Sequence, residues 1–276
     1  MAGILYVVAT PIGNLEDITY RAVRILKEVD RIACEDTRQS RKLLDHYAIA
    51  KPLASYHDHN EAERSAEFVA EMVGGRSMAL ISDAGTPLIS DPGYRLVRAA
   101  IEARIKVVPV PGPVAFASAL SASGLATDEV RFGGFLPAKS GQRRRTLEEL
   151  RNETSTVAFY ETPHRLLDAL EDIESVLGSR PIVVARELTK LHEEFLRGTA
   201  AAVRQELGGR PGGVKGEITL LIGKAEAIEA EASTPVPEAV AALEASGVPR
   251  MDAIKQVARE RGLPKRDVYR MVEEAP

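Results

Sequence analysis

The first 112 residues alternate short apolar runs with segments in which apolar residues recur at helical spacing. The apolar runs predict four strands, at residues 4–10, 31–35, 78–83 and 107–110. These runs are apolar throughout rather than at every second position, which is typical of strands covered by helices on both faces. Strands that alternate with helices are joined by right-handed crossovers. The pattern therefore predicts an α/β fold with a mainly parallel sheet.

The segments between these runs predict amphipathic helices at residues 18–29, 37–47, 61–73 and 94–103. In the first helix, Ala22, Val23, Leu26 and Val29 supply the apolar spacing. Asp17 precedes them, so we expect its side chain to cap this helix.

The alternation begins again after a helical stretch between Pro113 and Gly124. The second half predicts strands at residues 131–136, 156–162, 182–189, 194–199 and 217–223, with helices at 166–177 and 200–207. Thr162 and Pro163 resemble a helix start, with a hydroxyl at the cap and proline at the first helical position. Because short turns join several strands, we expect a second α/β domain with more antiparallel character. The two domains are predicted at residues 1–115 and 116–224.

The last fifty residues change composition twice. Residues 225–249 contain five glutamates and no basic residue, which predicts an acidic linker at 225–237 that leads into a small helical domain at 238–276. Residues 250–270 carry seven Lys or Arg against three Asp or Glu. Gly262 and Pro264 separate two short helices, the second starting with Lys265 and Arg266, in the outline of a helix-turn-helix. This pattern is compatible with nucleic-acid contact and equally with a packing or dimerisation role.

Composition excludes several protein classes. The net charge is −4 and there is one cysteine, Cys34, which we interpret as a small buried hydrophobe. A single cysteine excludes a disulfide framework and a thiolate zinc site, which fits the cytoplasm as the expected location. No apolar run approaches the roughly 20 residues of a membrane span, and the N-terminus lacks the basic start of a signal peptide. Any nucleic-acid site must be a local patch.

Four loops rich in glycine, proline and aspartate follow the early strands, at residues 10–14, 35–38, 82–93 and 111–113. Each alone is compatible with an ordinary turn. Parallel sheets bind ligands at the carboxyl ends of their strands, where all four loops lie. Together they predict a crevice for a small zwitterionic or nucleoside-bearing ligand. Neither the dinucleotide fingerprint nor a P-loop is present.

The motifs TPIGNLEDIT, EDTR, SDAGTPLISDPG, PGP and GGFLP resemble the tetrapyrrole-methylase superfamily. They are most similar to its 16S rRNA (cytidine 2′-O)-methyltransferases, and the resemblance runs from Leu5 to about Gly223. It implies two α/β domains with S-adenosylmethionine in the cleft between them, and a homodimer. The substrate that it implies is 16S rRNA or the small ribosomal subunit.

The resemblance also implies which residues contact the methyl donor. From the first half these are Pro11, Gly13, Asp83, Ala84, Gly85, Thr86, Ala115 and Ser118. From the second half they are Tyr160, Glu161, Thr162, Gly216, Glu217 and Ile218.

Three residues are candidates for the chemistry, because methylation of a ribose hydroxyl releases one proton. Asp36 is the predicted proton acceptor or sugar-orienting group, Arg38 the phosphate contact, and His57 the second candidate base. Asp36 is equally suited to cap the helix that starts at Thr37. His57 and His59 flank Asp58, but transfer from a sulfonium needs no metal, so we expect no metal site. The segment SYHDHN is predicted to line the substrate side of the cleft or to cap the helix near Glu61.

A basic run follows GGFLP and consists of Lys139, Arg143, Arg144 and Arg145. We predict that it contacts RNA phosphates, as do Lys265 and Arg266 in the tail. The leading hypothesis is therefore an RNA 2′-O-methyltransferase. The alternatives are a tetrapyrrole C-methyltransferase and a non-catalytic ribosome-associated binding module.

Overall fold

The computed structural model describes residues 2–225 and 234–275. The chain divides into two compact units, Met1–Lys224 and Ala225–Pro276. Residues 226–233, most of the predicted acidic linker, lie outside the described residues. Within the described ranges, no helix is both long and apolar enough to cross a membrane.

The first half of the larger unit contains a five-stranded sheet in which every pair is parallel. Its strands are β1 (Ile4–Val8), β2 (Arg31–Cys34), β3 (Leu53–Ser55), β4 (Met78–Leu80) and β5 (Lys106–Val110). The order across the sheet is β3-β2-β4-β1-β5. The strand β1 lies between β4 and β5 and pairs Leu5 with Met78 on one side and with Val107 on the other. The parallel sheet predicted from the apolar runs is confirmed.

Four helices connect these strands: α1 (Tyr20–Glu28), α2 (Thr37–His46), α3 (Glu61–Val73) and α4 (Tyr94–Glu102). Residues of α1 and α2, such as Leu26 and Leu44, bury one face of the sheet. Phe68 of α3 and Leu96 of α4 lie in a second core cluster with Leu5. Burial on both faces explains why these strands are apolar throughout.

The second half contains another five-stranded sheet, preceded by α5 (Ala115–Ser121). Its strands are β6 (Val130–Phe135), β7 (Thr156–Glu161), β8 (Pro181–Arg186), β9 (Glu194–Thr199) and β10 (Ile218–Ile222). The order is β6-β7-β10-β8-β9, and only β6 and β7 pair in parallel. The expected antiparallel character is therefore confirmed.

The helices of the second half are α6 (Ser140–Glu149), α7 (Leu166–Leu177) and α8 (Ala200–Gly208). Residues of all three share one core cluster with β7, β8 and β10. A separate cluster joins Ile12 from the first half to Ala119 of α5, Val183 of β8 and Leu221 of β10. This cluster connects the two halves of the larger unit through apolar packing.

Two predicted helix caps are wrong. Asp17 ends a short 3-10 turn, and Thr19 caps α1 by accepting a hydrogen bond from the Ala22 amide at 3.1 Å. The α7 helix begins at Leu166 as predicted, but Arg165 rather than Thr162 occupies its cap position. The amide of Thr162 donates instead to the Glu161 carboxylate at 2.7 Å.

The smaller unit contains α9 (Val236–Ala245), α10 (Arg250–Glu260) and α11 (Lys265–Glu273). Val240, Ile254, Val257 and Val268 form its buried core. Gly262 has a φ of +62° and separates α10 from α11, and Pro264 precedes the first residue of α11. The turn predicted from these two residues is present.

Candidate active site

A cavity of about 330 Å³ lies between the two sheets of the larger unit. The first half lines it with residues that follow β1, β4 and β5. The second half contributes the ends of β6 and β7, the loop after β8 and the beginning of β10. The volume is within the roughly 300–1,000 Å³ of small-molecule sites, and the position is the carboxyl edge where parallel sheets bind ligands.

Thr10 and Gly85 hold two of the loops together. Their backbones exchange hydrogen bonds of 2.8 and 3.1 Å, and the Thr10 hydroxyl donates to the carbonyl of Ser82 at 3.1 Å. The hydroxyl of Thr86 donates to the Pro113 carbonyl at 3.1 Å, which attaches the loop after β5. These bonds fix the floor of the cavity.

Gly85 has a φ of +82°, a conformation that side chains rarely adopt. A Cβ atom there would lie 3.3 Å from Cγ2 of Ile12. The sequence places glycine at a point where backbone lines the cavity without a side chain.

The loop after β4 continues through two residues in the left-handed region, Leu88 with a φ of +72° and Ser90 with a φ of +69°. Such conformations in residues other than glycine cost about 1–3 kcal/mol and are found where surrounding structure enforces them. Ile89, Ser90 and Asp91 line the cavity. The loop thus places the carboxylate of Asp91 in the wall of the cavity.

On the opposite wall, the carboxylate of Glu161 is fully buried and lies 2.8 Å from the Arg165 guanidinium. Arg165 also donates to the Leu136 carbonyl at 2.7 Å. Glu217 lies 3.2 Å from Lys190, which also pairs with Glu187 at 2.9 Å. Both of these cavity carboxylates therefore have cationic partners.

Ten of the fourteen predicted donor contacts line the cavity: Ala84, Gly85, Thr86, Ala115, Tyr160, Glu161, Thr162, Gly216, Glu217 and Ile218. Pro11, Gly13, Asp83 and Ser118 are not among the lining residues. Pro11 is buried, the Gly13 backbone lies against Thr189 and Lys190, and Ser118 donates to the Val114 carbonyl. Asp83 accepts a hydrogen bond from the Asp36 amide at 3.1 Å.

Sequence reasoning missed several residues of the wall: Ile12, Ile89, Asp91, Val114, Phe135 and Leu188. A signal was present for some of them. Ile12 stands between the predicted Pro11 and Gly13, Asp91 lies inside SDAGTPLISDPG, and Phe135 lies inside GGFLP.

Asp36 caps α2, since its carboxylate accepts a hydrogen bond from the Arg38 amide at 2.8 Å. The Arg38 side chain binds the same carboxylate at 3.2 and 2.9 Å. These bonds to Arg38 lower the pKa of Asp36 to about 2. Neither residue lines the cavity. The structure therefore shows the capping role, and a carboxylate with so low a pKa is a weak proton acceptor.

His57 is also outside the cavity lining. Its amide donates to the Asn60 side chain at 2.9 Å, and its Nε2 lies 3.2 Å from the Asn60 amide nitrogen. The Asn60 side chain therefore holds the turn before α3 and makes no capping hydrogen bond to that helix, so the predicted capping role of SYHDHN is not observed. Across the described ranges, His, Cys, Asp and Glu side chains form no group of three suited to a metal ion.

The cavity and its rim are acidic on the first-sheet side. Burial, followed by the charge of Glu35, raises the pKa of Asp91 to about 6. Burial also raises the pKa values of Asp83 and Glu35, and the nearby charges of Asp36 and Asp83 respectively add to this effect. Negative charge concentrated here favours a positively charged ligand.

The basic run separates into exposed and buried members. Lys139, Arg144 and Arg145 are exposed. Arg143 is only 3% exposed and lies 2.7 Å from Asp172, so the prediction that it contacts RNA phosphates is corrected. Its Nη1 donates to the carbonyls of Pro137 and Ala138 at 3.3 and 3.2 Å, which holds the loop after β6. Position 143 faces the core because α6 packs on α7 there.

The two tail residues predicted to bind RNA, Lys265 and Arg266, are exposed in the first turn of α11. Arg266 lies 3.7 Å from Asp267. The smaller unit thus presents two exposed cations at the start of α11.

Comparison with known proteins places the chain in a family. Residues 4–204 match the model of the tetrapyrrole (corrin/porphyrin) methylases. The chain is 50% identical over 273 residues to the ribosomal RNA small subunit methyltransferase I of Halalkalibacterium halodurans, covering 97% of this chain and 93% of the relative. The protein of the same name from Pasteurella multocida is also 50% identical, over 98% of this chain and 96% of its own.

Solved structures share the fold at low identity. The uroporphyrin-III-C-methyltransferase of Thermus thermophilus is 19% identical with a TM-score of 0.55, covering 83% of this chain and 98% of that one. Diphthine synthase is 11% identical with a TM-score of 0.60, covering 80% and 89%. The chain belongs to the tetrapyrrole (corrin/porphyrin) methylase family. Within that family, it is 50% identical to two proteins named ribosomal RNA small subunit methyltransferase I.

Proposed function

We propose that this protein methylates ribosomal RNA of the small subunit with S-adenosylmethionine as the donor. The observation that carries the proposal is the 50% identity to relatives named for this activity, over 97% and 98% of this chain. The similarity covers the tail as well as the cavity. This breadth favours shared activity over a shared fold alone.

The cavity residues fit the donor. Ile12, Val114 and Leu188 supply apolar walls suited to an adenine ring, and Gly85 exposes backbone without a side chain. The carboxylates of Glu35 and Asp83 at the rim of the cavity suit a sulfonium and an amino group. When bound, S-adenosylmethionine supplies a methyl group on a positively charged sulfur. The residues of the chain then bind, orient and exclude water around it.

The finer features belong to the same proposal: the acceptor is the ribose 2′-hydroxyl of a cytidine in 16S rRNA, and the enzyme works in the cytoplasm as a homodimer. Exposed Lys139, Arg144 and Arg145 contact the RNA backbone, and Lys265 with Arg266 extend that contact from the smaller unit. The resemblance of the sequence motifs supports the acceptor atom and the dimer.

Two other functions have less support. A tetrapyrrole C-methyltransferase shares the fold, but the solved example is 19% identical, which supports the architecture only. A non-catalytic binding module does not need an unpaired carboxylate in its cavity, whereas Asp91 lines this one and has no ion pair among the described residues.

The test is transfer of labelled methyl groups to three acceptors: small ribosomal subunits, free small-subunit rRNA and a tetrapyrrole precursor. We expect label in the RNA of at least one of the first two and none in the tetrapyrrole. Label in the tetrapyrrole alone would show that the substrate is wrong. Donor binding without transfer to any acceptor would favour a non-catalytic module.

A further inference from the structure

Methylation of a hydroxyl releases a proton, and a base at the reacting centre speeds such a step by about 10²–10⁴-fold. Among the described residues that line the cavity, three carry carboxylates: Asp91, Glu161 and Glu217. The surroundings of each decide which is available as a base.

Glu161 and Glu217 each form an ion pair with a basic side chain. The Glu161 side chain has no solvent exposure, lies 2.8 Å from Arg165 and accepts the Thr162 amide at 2.7 Å. Glu217 lies 3.2 Å from Lys190 and its side chain is 73% exposed. Both carboxylates are therefore already paired with cationic side chains.

Asp91 differs from both. It has no ion pair with Lys, Arg or His in the described part of the chain, although it lines the cavity. Ser90, with a φ of +69°, precedes it, and Gly93, with a φ of +144°, follows two residues later. A Cβ at Gly93 would lie 2.9 Å from a Leu80 methyl group, so this glycine lets the loop pack on β4. The loop therefore holds Asp91 in one place.

The groups that act on Asp91 come from several elements. Glu35 follows β2 and Asp83 follows β4, and both repel a negative charge on Asp91. The Ser82 hydroxyl opposes this effect, and the Tyr160 phenol of β7 is close enough to be influenced by the Asp91 charge. Burial is the largest influence, and together these groups bring the pKa of Asp91 to about 6. Bases of this strength suit catalysis near neutral pH.

We propose that Asp91 is the proton acceptor for the methylated hydroxyl, an inference that rests on the function proposed above. The ribose oxygen forms its bond to the methyl carbon while the carbon–sulfur bond breaks and its electron pair stays on sulfur. The hydroxyl proton moves to the carboxylate of Asp91 and leaves to solvent after the product departs. No further reactant is required.

The test compares Asp91→Asn with Asp168→Asn, a matched change at an exposed position on α7 outside the cavity. We expect single-turnover methyl transfer by Asp91→Asn to fall about a hundredfold or more. The parent rate should decrease below about pH 6, and this acidic decrease should be absent from the residual rate of Asp91→Asn. Asp168→Asn should keep the parent rate and pH profile.

Binding of S-adenosylhomocysteine, measured by calorimetry, separates proton transfer from donor binding. We expect Asp91→Asn to bind it within about threefold of the parent affinity, because the transferred proton plays no part in that equilibrium. Equal losses of affinity and rate would overturn the proposal and make Asp91 a donor-binding residue. An unchanged rate or an unchanged acidic decrease would also overturn it. If the parent protein itself fails to methylate small-subunit RNA, the proposed function fails instead.

Discussion

At the scale of single residues, Gly85 controls entry of a ligand to the cavity floor. Its φ of +82° and the contact at 3.3 Å to Ile12 leave no space for a branched side chain. We predict that Gly85→Val weakens binding of S-adenosylhomocysteine at least about tenfold, because the side chain occupies the cavity and strains the backbone. Gly141→Val is the matched control, since nothing lies within 4 Å of a Cβ there. Calorimetry with equal affinity for both variants would contradict the prediction.

The raised pKa of Asp91 also makes the stability of the folded protein depend on pH. Its folded pKa of about 6 exceeds the usual value, so the folded protein binds this proton more tightly than the unfolded chain. The resulting stabilisation is present below about pH 4 and is lost as pH rises through about 6. We predict that Asp91→Asn is more stable than the parent at pH 8 by about 1–2 kcal/mol, after allowance for solvent screening.

Urea unfolding of the parent and Asp91→Asn at pH 4 and pH 8 measures this difference. The stability gain of the variant should be larger at the higher pH. A gain that is equal at both pH values, or larger at pH 4, would show that the Asp91 carboxyl is not destabilised by its surroundings.

The roles of single residues were harder to predict than their positions. Asp36 and Asp91 both lie in motifs that the sequence makes conspicuous, and both follow strands of the parallel sheet. Their difference arises from contacts. Arg38 binds Asp36 two residues along the chain, whereas the half-buried Asp91 is influenced by Glu35, which is far from it in sequence. A local sequence pattern can reveal a neighbour such as Arg38, two residues from Asp36, but not one as distant in the chain as Glu35 is from Asp91.

At the scale of elements, α6 combines a buried cation with exposed ones. Arg143 is paired with Asp172, and Arg145 is exposed on the same helix. We predict that Arg143→Ala lowers the free energy of unfolding by about 1–3 kcal/mol, because Asp172 loses its buried partner but keeps Arg144 at 3.0 Å. Arg145→Ala should change stability little and should weaken RNA binding with a reduced dependence on salt.

Chemical unfolding and RNA titrations at several salt concentrations check both halves of this prediction. Equal loss of stability in the two variants would contradict the buried role of Arg143. An unchanged salt dependence in Arg145→Ala would mean that this residue lies outside the RNA surface.

Helices with regular apolar spacing were predicted well, and α3 and α7 have the predicted bounds of 61–73 and 166–177. The α6 helix was not predicted as an element because arginine occupies one of its buried positions. The β3 strand has three residues, which is too short for a pattern to emerge. Its place at the sheet edge depends on pairing with β2, which local sequence does not encode.

At the scale of the whole molecule, the two compact units suggest a division of tasks. The larger unit contains the complete cavity, and the smaller one has its own core of Val240, Ile254 and Val268. We predict that a protein ending at Lys224 folds, binds S-adenosylhomocysteine like the parent and loses most methylation of small-subunit RNA. Full methylation by the shortened protein would contradict a role for the smaller unit in RNA recognition.

The α/β class and the antiparallel second half followed from apolar runs and short turns. The cleft between the two sheets followed from the resemblance of the motifs. The strand orders β3-β2-β4-β1-β5 and β6-β7-β10-β8-β9 did not follow from either, because they depend on pairing between residues distant in the chain. The apolar cluster that contains both Ile12 and Leu221 likewise depends on residues distant in the chain.

In the proposed function, the cavity serves transfer of a methyl group to a ribose of small-subunit RNA. The test is to methylate small ribosomal subunits with a labelled donor, digest the RNA to nucleosides and identify the labelled nucleoside by mass spectrometry. We expect 2′-O-methylcytidine. A label on a base, or RNA without label while a tetrapyrrole precursor becomes methylated, would contradict it.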